Sequence, residues 1–80
     1  MSREDIMDKV ADICREVFEA PDLEITEETS VSNVEMWDSL MHVVLISELE
    51  GAFEIVFKFD EIQSAKDVGK ICTIIKEKLN

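Results

Sequence analysis

The stretch Trp37-Asp38-Ser39-Leu40-Met41-His42-Val43-Val44-Leu45-Ile46 passes from a polar, turn-forming segment into an apolar run, and Asp38 and Ser39 stand at the change of character. Asp and Ser are favoured at a helix start because their side-chain oxygens accept hydrogen bonds from the free backbone N–H groups of the first turn. The pattern predicts a helix from about Ser39 to Ala52. Val43, Ile46, Leu49 and Phe53 are expected on its inner face, with Met41, Val44, Glu48 and Gly51 on the opposite side.

Upstream of this helix, Pro21 to Met36 reads as a long ordered loop. Asp22, Thr26, Thr29, Ser30, Ser32 and Asn33 can bond the backbone there, while Leu23, Ile25, Val31 and Val34 supply apolar pins. A loop of this length in a small domain is usually functional or required by the topology. Before it, Ile6, Val10, Ile13 and Val17 recur at helical spacing beside the row Met7, Ala11, Cys14 and Phe18, which predicts an amphipathic helix from about Ser2 to Glu19. Ser2 can cap it, Glu4 and Asp5 suit the positive end of its dipole, and Pro21 marks a point beyond its end.

Downstream, Phe53-Glu54-Ile55-Val56-Phe57-Lys58-Phe59 partly alternates like a strand, but no second strand candidate exists to pair with it. It is therefore read as an extended connector pinned by aromatics, followed by one short helical turn at Asp60-Glu61-Ile62-Gln63. A last helix follows, with Asp67 or Ser64 as its cap. Val68, Ile71, Cys72, Ile75 and Leu79 form its buried row, and Lys76 and Lys78 lie near its negative end. The residues thus predict an all-α domain of three main helices and one minor turn.

Eighty residues allow one small core and little room for a separate catalytic cleft, so a carrier, adaptor or inhibitor fits best. Eight Lys and Arg against 19 Asp and Glu give a formal charge of −11, which disfavours nucleic acid and anionic membranes and favours partners with basic surfaces. A hydrophobic content of 46% is too high for a disordered acidic tail. The sequence shows neither a long apolar run nor a signal-peptide pattern, so the expectation is a cytoplasmic monomer without membrane insertion. Cys14 and Cys72 fall within apolar rows and form no Cys-x-x-Cys pair, which suits buried, reduced thiols rather than a metal site or a disulfide.

Four readings can be weighed on the residues and their spacing. Ser39 as a plain helix cap is the simplest. Ser39 and His42, three apart, could form a nucleophile and base with Asp38 or Glu35 as orienter, but one helical turn would have to supply every part and no oxyanion hole is evident. His42 is expected to be solvated or to face a partner. The acidic loop lacks the ligand spacing and the glycine of a calcium loop, so no metal is expected. Trp37 reads as a core or loop pin rather than a base-stacking platform.

Whole-chain order adds more. An amphipathic helix, a long loop containing Ile25-Thr26-Glu27-Glu28-Thr29-Ser30, then Trp37-Asp38-Ser39-Leu40, an apolar helix, Phe53 and a capped final helix together resemble the acyl carrier protein family over nearly all of the chain. The resemblance implies a four-helix bundle and a non-enzymatic role. Ser39 would receive 4'-phosphopantetheine from coenzyme A through a separate Mg-dependent phosphopantetheinyl transferase, with Asp38 and Leu40 as the flanking motif positions. Acyl, polyketide or aminoacyl cargo would then ride as a thioester to acyl-activating or acyl-transferring enzymes of fatty acid, polyketide, lipid-modification or aminoacyl pathways. Carriers of primary fatty acid synthesis usually show acidic residues two and five places after the serine, where this chain has Met41 and Val44. The expected partner-facing residues are accordingly Met41, His42, Val44, Glu48 and Glu50. The alternative is an unmodified acidic interaction module in which Ser39 only caps its helix.

Overall fold

The computed structural model describes all residues, 1–80. Four helices follow one another: α1 (Arg3–Val17), α2 (Ser39–Phe53), α3 (Phe59–Ser64) and α4 (Val68–Leu79). α1 packs against both α4 and α2, and a core of 19 buried apolar residues lies between them.

Each helix start follows the sequence logic. Ser2 accepts from the Asp5 N–H at 3.1 Å, Asp38 from Met41 at 2.9 Å, and Asp67 from Lys70 at 2.7 Å, so three caps satisfy donors that the helices cannot satisfy themselves. α1 buries Ile6, Val10, Ala11 and Cys14, as its periodicity predicts. It stops through a left-handed Glu19 (φ 52°), with the Ala20 N–H donating to Arg15 O and the Glu19 N–H to Glu16 O. α2 ends in a similar way, with Glu54 at φ 55° and the Ile55 N–H on Glu50 O.

The loop between α1 and α2 is tied to the start of α4. The N–H groups of Val68 and Gly69 donate to Thr29 O and Glu27 O, both at 2.9 Å, and the Val31 N–H donates to Lys66 O at 3.1 Å. The loop therefore supplies acceptors for α4's otherwise unpaired first-turn donors. Thr29 is buried, its hydroxyl accepting from the Thr26 N–H at 2.9 Å. Gly69 is needed for this contact, since a Cβ there would stand 3.0 Å from Glu27 O. Arg3 fastens the same region with bonds to Glu27, Thr73 and Gly69 O. The Glu27 hydrogen bond and charge raise the guanidinium's affinity for its proton, and Arg3 holds the Glu27 carboxyl below its ordinary value.

Three sequence expectations need correction. The inner face of α2 is Leu45, Ile46, Leu49 and Phe53, while Val43, expected inside, is 61% exposed. Met41, expected on the far side, is half-buried and packs on the core. The reason is that α2 is apolar around most of its circumference, so periodicity alone leaves its rotation open. The Asp60–Gln63 turn is a six-residue helix that begins at Phe59 and ends at Ser64, and Phe53 closes α2 rather than opening the connector.

No residue of α3 is fully buried; Phe57 before it and Ala65 after it are. Glu61 holds the start of α3, accepting from the Lys58 N–H and pairing with the Lys78 ammonium, each at 2.7 Å. Those two partners, the backbone bond first, keep its carboxyl below its ordinary value. Cys14 and Cys72 are free and buried, and burial pushes their thiols up to about 12 and about 11. No helix is long and apolar enough to cross a membrane.

Candidate functional site

The cap on α2 is Asp38, in extended backbone (φ −98°, ψ −174°), and Ser39 is the first helical residue. With Asp38 doing the capping, the Ser39 side chain is exposed and its hydroxyl makes no hydrogen bond within the protein. Asp38 O accepts from the His42 N–H at 2.9 Å, whereas the N–H groups of Ser39 and Leu40 have no acceptor in the chain. An exposed hydroxyl beside free first-turn amides, at the positive end of a 15-residue helix, is well placed to hold an anionic substituent.

The end of α2 that carries Ser39 is held by a three-residue bridge. Trp37 is 2% exposed and packs on Phe18, with ring centroids 5.5 Å apart. Its indole N–H donates to His42 Nδ1 at 2.9 Å, and His42 Nε2 lies 2.8 Å from Ile62 O. Both bonds form together only if the imidazole is neutral with its proton on Nε2, because a carbonyl can only accept and the indole can only donate. Ile62 O needs this donor, since the Lys66 N–H that might have bonded it turns to Ser64 O instead. His42 therefore caps the end of α3 and anchors Trp37 in one contact. With both ring nitrogens engaged, it is not free to act as a base toward Ser39, and the serine–histidine hydrolase reading has no support.

The other expected partner-facing residues divide. Leu40 is 71% exposed and Val44 39%, and Glu48 is exposed. Met41, as noted, packs inward, and His42 is half-buried in its bridge rather than solvated. Glu50 is half-buried, and its Oε2 accepts from the Phe57 N–H at 2.8 Å, which fixes the connector after α2. Val43, which the sequence reading placed inside, joins Leu40 and Val44 on the outer surface instead.

Two clefts flank the start of α2. One, of about 280 Å³, is lined by Val31, Trp37, Asp38, Ser39, His42 and Lys66. The other, of about 260 Å³, is lined by Val17, Phe18, Glu19, Met36, Asp38 and Met41. Sequence reasoning missed Val31 and Lys66 as neighbours of Ser39, because the loop path and the α3–α4 junction bring them there. No cluster of His, Cys, Asp and Glu side chains gathers in a metal-binding arrangement.

Comparison with known proteins gives a consistent result. Residues 8–75 match the family model described as the phosphopantetheine attachment site. The acyl carrier protein of Lactobacillus acidophilus is 36% identical over 76 residues, 95% of each chain. The solution structure of a holo acyl carrier protein from Geobacter metallireducens superposes with a TM-score of 0.84 at 37% identity, covering 91% of this chain and 84% of that one. A Mycobacterium tuberculosis structure, provisionally described as an acyl carrier protein, gives a TM-score of 0.82 at 26% identity, covering 90% of this chain and 96% of the other. Four helices without a strand, a serine exposed at a helix start and these relatives lead to one conclusion: the chain belongs to the acyl carrier protein family, whose members are phosphopantetheine-bearing carriers and not enzymes.

Proposed function

We propose that residues 1–80 act as one carrier unit, that Ser39 is the attachment point for 4'-phosphopantetheine, and that a phosphopantetheinyl transferase installs it. The observation that carries this reading is the division of labour at the start of α2, where Asp38 caps the helix and leaves the Ser39 hydroxyl exposed and unbonded. A serine serving only as a cap would instead spend its oxygen on the helix. In the transfer, the Ser39 Oγ–phosphorus bond forms as the pyrophosphate link of coenzyme A breaks. Adenosine 3',5'-bisphosphate leaves, and the hydroxyl proton passes to the transferase's base or to water.

The residues present fit such a group. The unpaired amides of Ser39 and Leu40 lie at the same helix end as the Ser39 hydroxyl, and no acidic side chain lies in the first turn of α2. When attached, the group supplies a flexible arm with a terminal thiol that carries acyl cargo and raises its effective concentration at a docked enzyme. Ser39 needs no activating base of its own, in keeping with His42's engagement elsewhere.

The docking face assigned to partner enzymes is the outer side of α2, where Leu40, Val43 and Val44 form an exposed apolar stripe beside the attachment serine. Glu48 follows one turn beyond, and the chain as a whole carries a charge of −11, so the matching partner surface is apolar at its centre and basic at its rim.

The test of attachment is intact mass after incubation with coenzyme A, Mg²⁺ and a broad-specificity phosphopantetheinyl transferase. A gain of one phosphopantetheine is expected, and Ser39→Ala should abolish it. An unchanged wild-type mass overturns the proposal. For docking, Val43→Glu with Val44→Glu should raise the KM of a cognate enzyme about 5- to 30-fold, the loss of about 1–2 kcal/mol from an interface centre. Unchanged transfer kinetics would sink that assignment.

A further inference from the structure

The two clefts beside Ser39 differ in charge. The larger contains Ser39 itself, and of its six lining residues one is anionic, Asp38, and one cationic, Lys66. The smaller shares Asp38 but adds Glu19, has no cation and does not include Ser39. Most of the chain's scarce cations already have partners. Arg3 is bound to Glu27, Arg15 to Asp12, and Lys78 to Glu61. The ammonium groups of Lys9 and Lys76 donate to Ala52 O and Met1 O. Lys66 is exposed, and while its backbone is tied to Ser64 and Val31, its side chain has no hydrogen bond or ion pair. The cleft is also lined by Val31, His42 and the edge of Trp37, which is itself almost wholly buried. Trp37 and His42 are locked to each other, so the wall is preformed.

We infer that this cleft is the resting seat of the chain's own prosthetic arm, with Lys66 pairing with the phosphodiester and Val31 and the edge of Trp37 receiving the arm's geminal methyls. The inference rests on the reading of Ser39 as the attachment point. Lys66 answers a specific electrostatic need. A phosphodiester on Ser39 would lie beside the Asp38 carboxylate, and Lys66 is the cation that lines the same space. The arm's geminal methyls would rest on half-buried Val31 and the edge of Trp37 at the cleft, so seating requires no opening of the helices. Because Lys66 is exposed, its hold is open to screening by salt, and release to a docking enzyme costs little.

The experiment compares apo and holo protein by two-dimensional ¹H–¹⁵N, ¹H–¹³C and ³¹P NMR after complete conversion with coenzyme A and a transferase, for the wild type, Lys66→Gln and, as a control, Lys70→Gln. Conversion is verified by mass in each case. In the wild type, conversion should shift the Trp37 indole N–H, the Val31 methyls and the Lys66 amide, and should give nuclear Overhauser contacts from the arm's geminal methyls to Val31 or Trp37. Lys66→Gln, and separately 1 M NaCl, should weaken those contacts at least twofold and move the phosphorus resonance, while Lys70→Gln should leave them unchanged. Full mass gain with shifts confined to Ser39 and its immediate sequence neighbours, and no contacts to the cleft, overturns the seat but leaves attachment standing. No mass gain overturns both. Contacts that persist equally in Lys66→Gln and in salt overturn the role of Lys66.

Discussion

Replacing His42 with leucine removes both ends of the bridge that fixes the Ser39-bearing end, at nearly constant volume. Two costs can be assigned. The indole N–H of Trp37, on a residue only 2% exposed, loses its acceptor at 2.9 Å and is left buried and unpaired, which costs about 1–3 kcal/mol. Ile62 O loses its donor at 2.8 Å, but at the end of a helix with no fully buried residue, water can replace part of it, so about 1 kcal/mol is lost. The total of about 2–4 kcal/mol is a large share of the roughly 4–12 kcal/mol typical of a domain this size. Urea unfolding should show the fall in ΔG, and a thermal scan should show a decrease of about 10–20 °C. The decisive measurement is a double-mutant cycle with Trp37→Phe, which deletes the donor itself. With no indole N–H to strand, His42→Leu should cost about 1–2 kcal/mol less in that background. If the two substitutions are additive within about 0.3 kcal/mol, the bridge has no energetic role and the reasoning is refuted.

Glu19 and Glu54, at φ 52° and 55°, occupy backbone that glycine adopts without a Cβ penalty, so Glu19→Gly and Glu54→Gly should each stabilise by about 0.5–1 kcal/mol in urea titrations, and a loss of stability would contradict the cap assignment. The Glu61 carboxyl is held below its ordinary 4.5 by the Lys58 N–H and Lys78, so the unfolded chain takes up its proton first as pH falls. The advantage of the wild type over Glu61→Gln should therefore be full above about pH 4.5 to 5 and vanish as pH drops through the folded-state value; a difference independent of pH would count against the pairing. With −11 formal charge on a small core, raising NaCl from low to moderate concentration should raise Tm, and a flat Tm would show that self-repulsion is unimportant.

The three long helices were legible because their cap residues and apolar periodicity agree, and Ser2, Asp38 and Asp67 all cap as their positions suggest. The rotation of α2 was not. A helix apolar on most sides gives no periodic signal, so Val43 was placed inside and Met41 outside, the reverse of the observed arrangement. α3 was legible only as a turn, because its attachment comes from single contacts at Glu61 and Ile62 rather than from an apolar row. At the site, spacing marked Asp38 and Ser39 only as a helix start, and the reading of Ser39 with its neighbours Asp38 and Leu40 came from the resemblance of the whole chain to a family. His42 was misjudged because its partners lie in a non-helical residue and in a backbone carbonyl twenty positions away. Lys66 carries no local pattern at all; the turn between α3 and α4 brings it to the cleft that Ser39 also lines.

The bonds from Glu27, Thr29 and Val31 to residues 66–69 also bear on how the protein is made. The loop that leads to Ser39 takes part of its path from backbone synthesised about forty residues later, and α1 meets its partner α4 only when residues 68–79 are present. A chain stopped after α3 would hold Ser39 in its sequence yet lack the anchors that fix the loop before it. Formation of α4 and ordering of the loop ahead of Ser39 thus become one event, coupled through the backbone pairing itself.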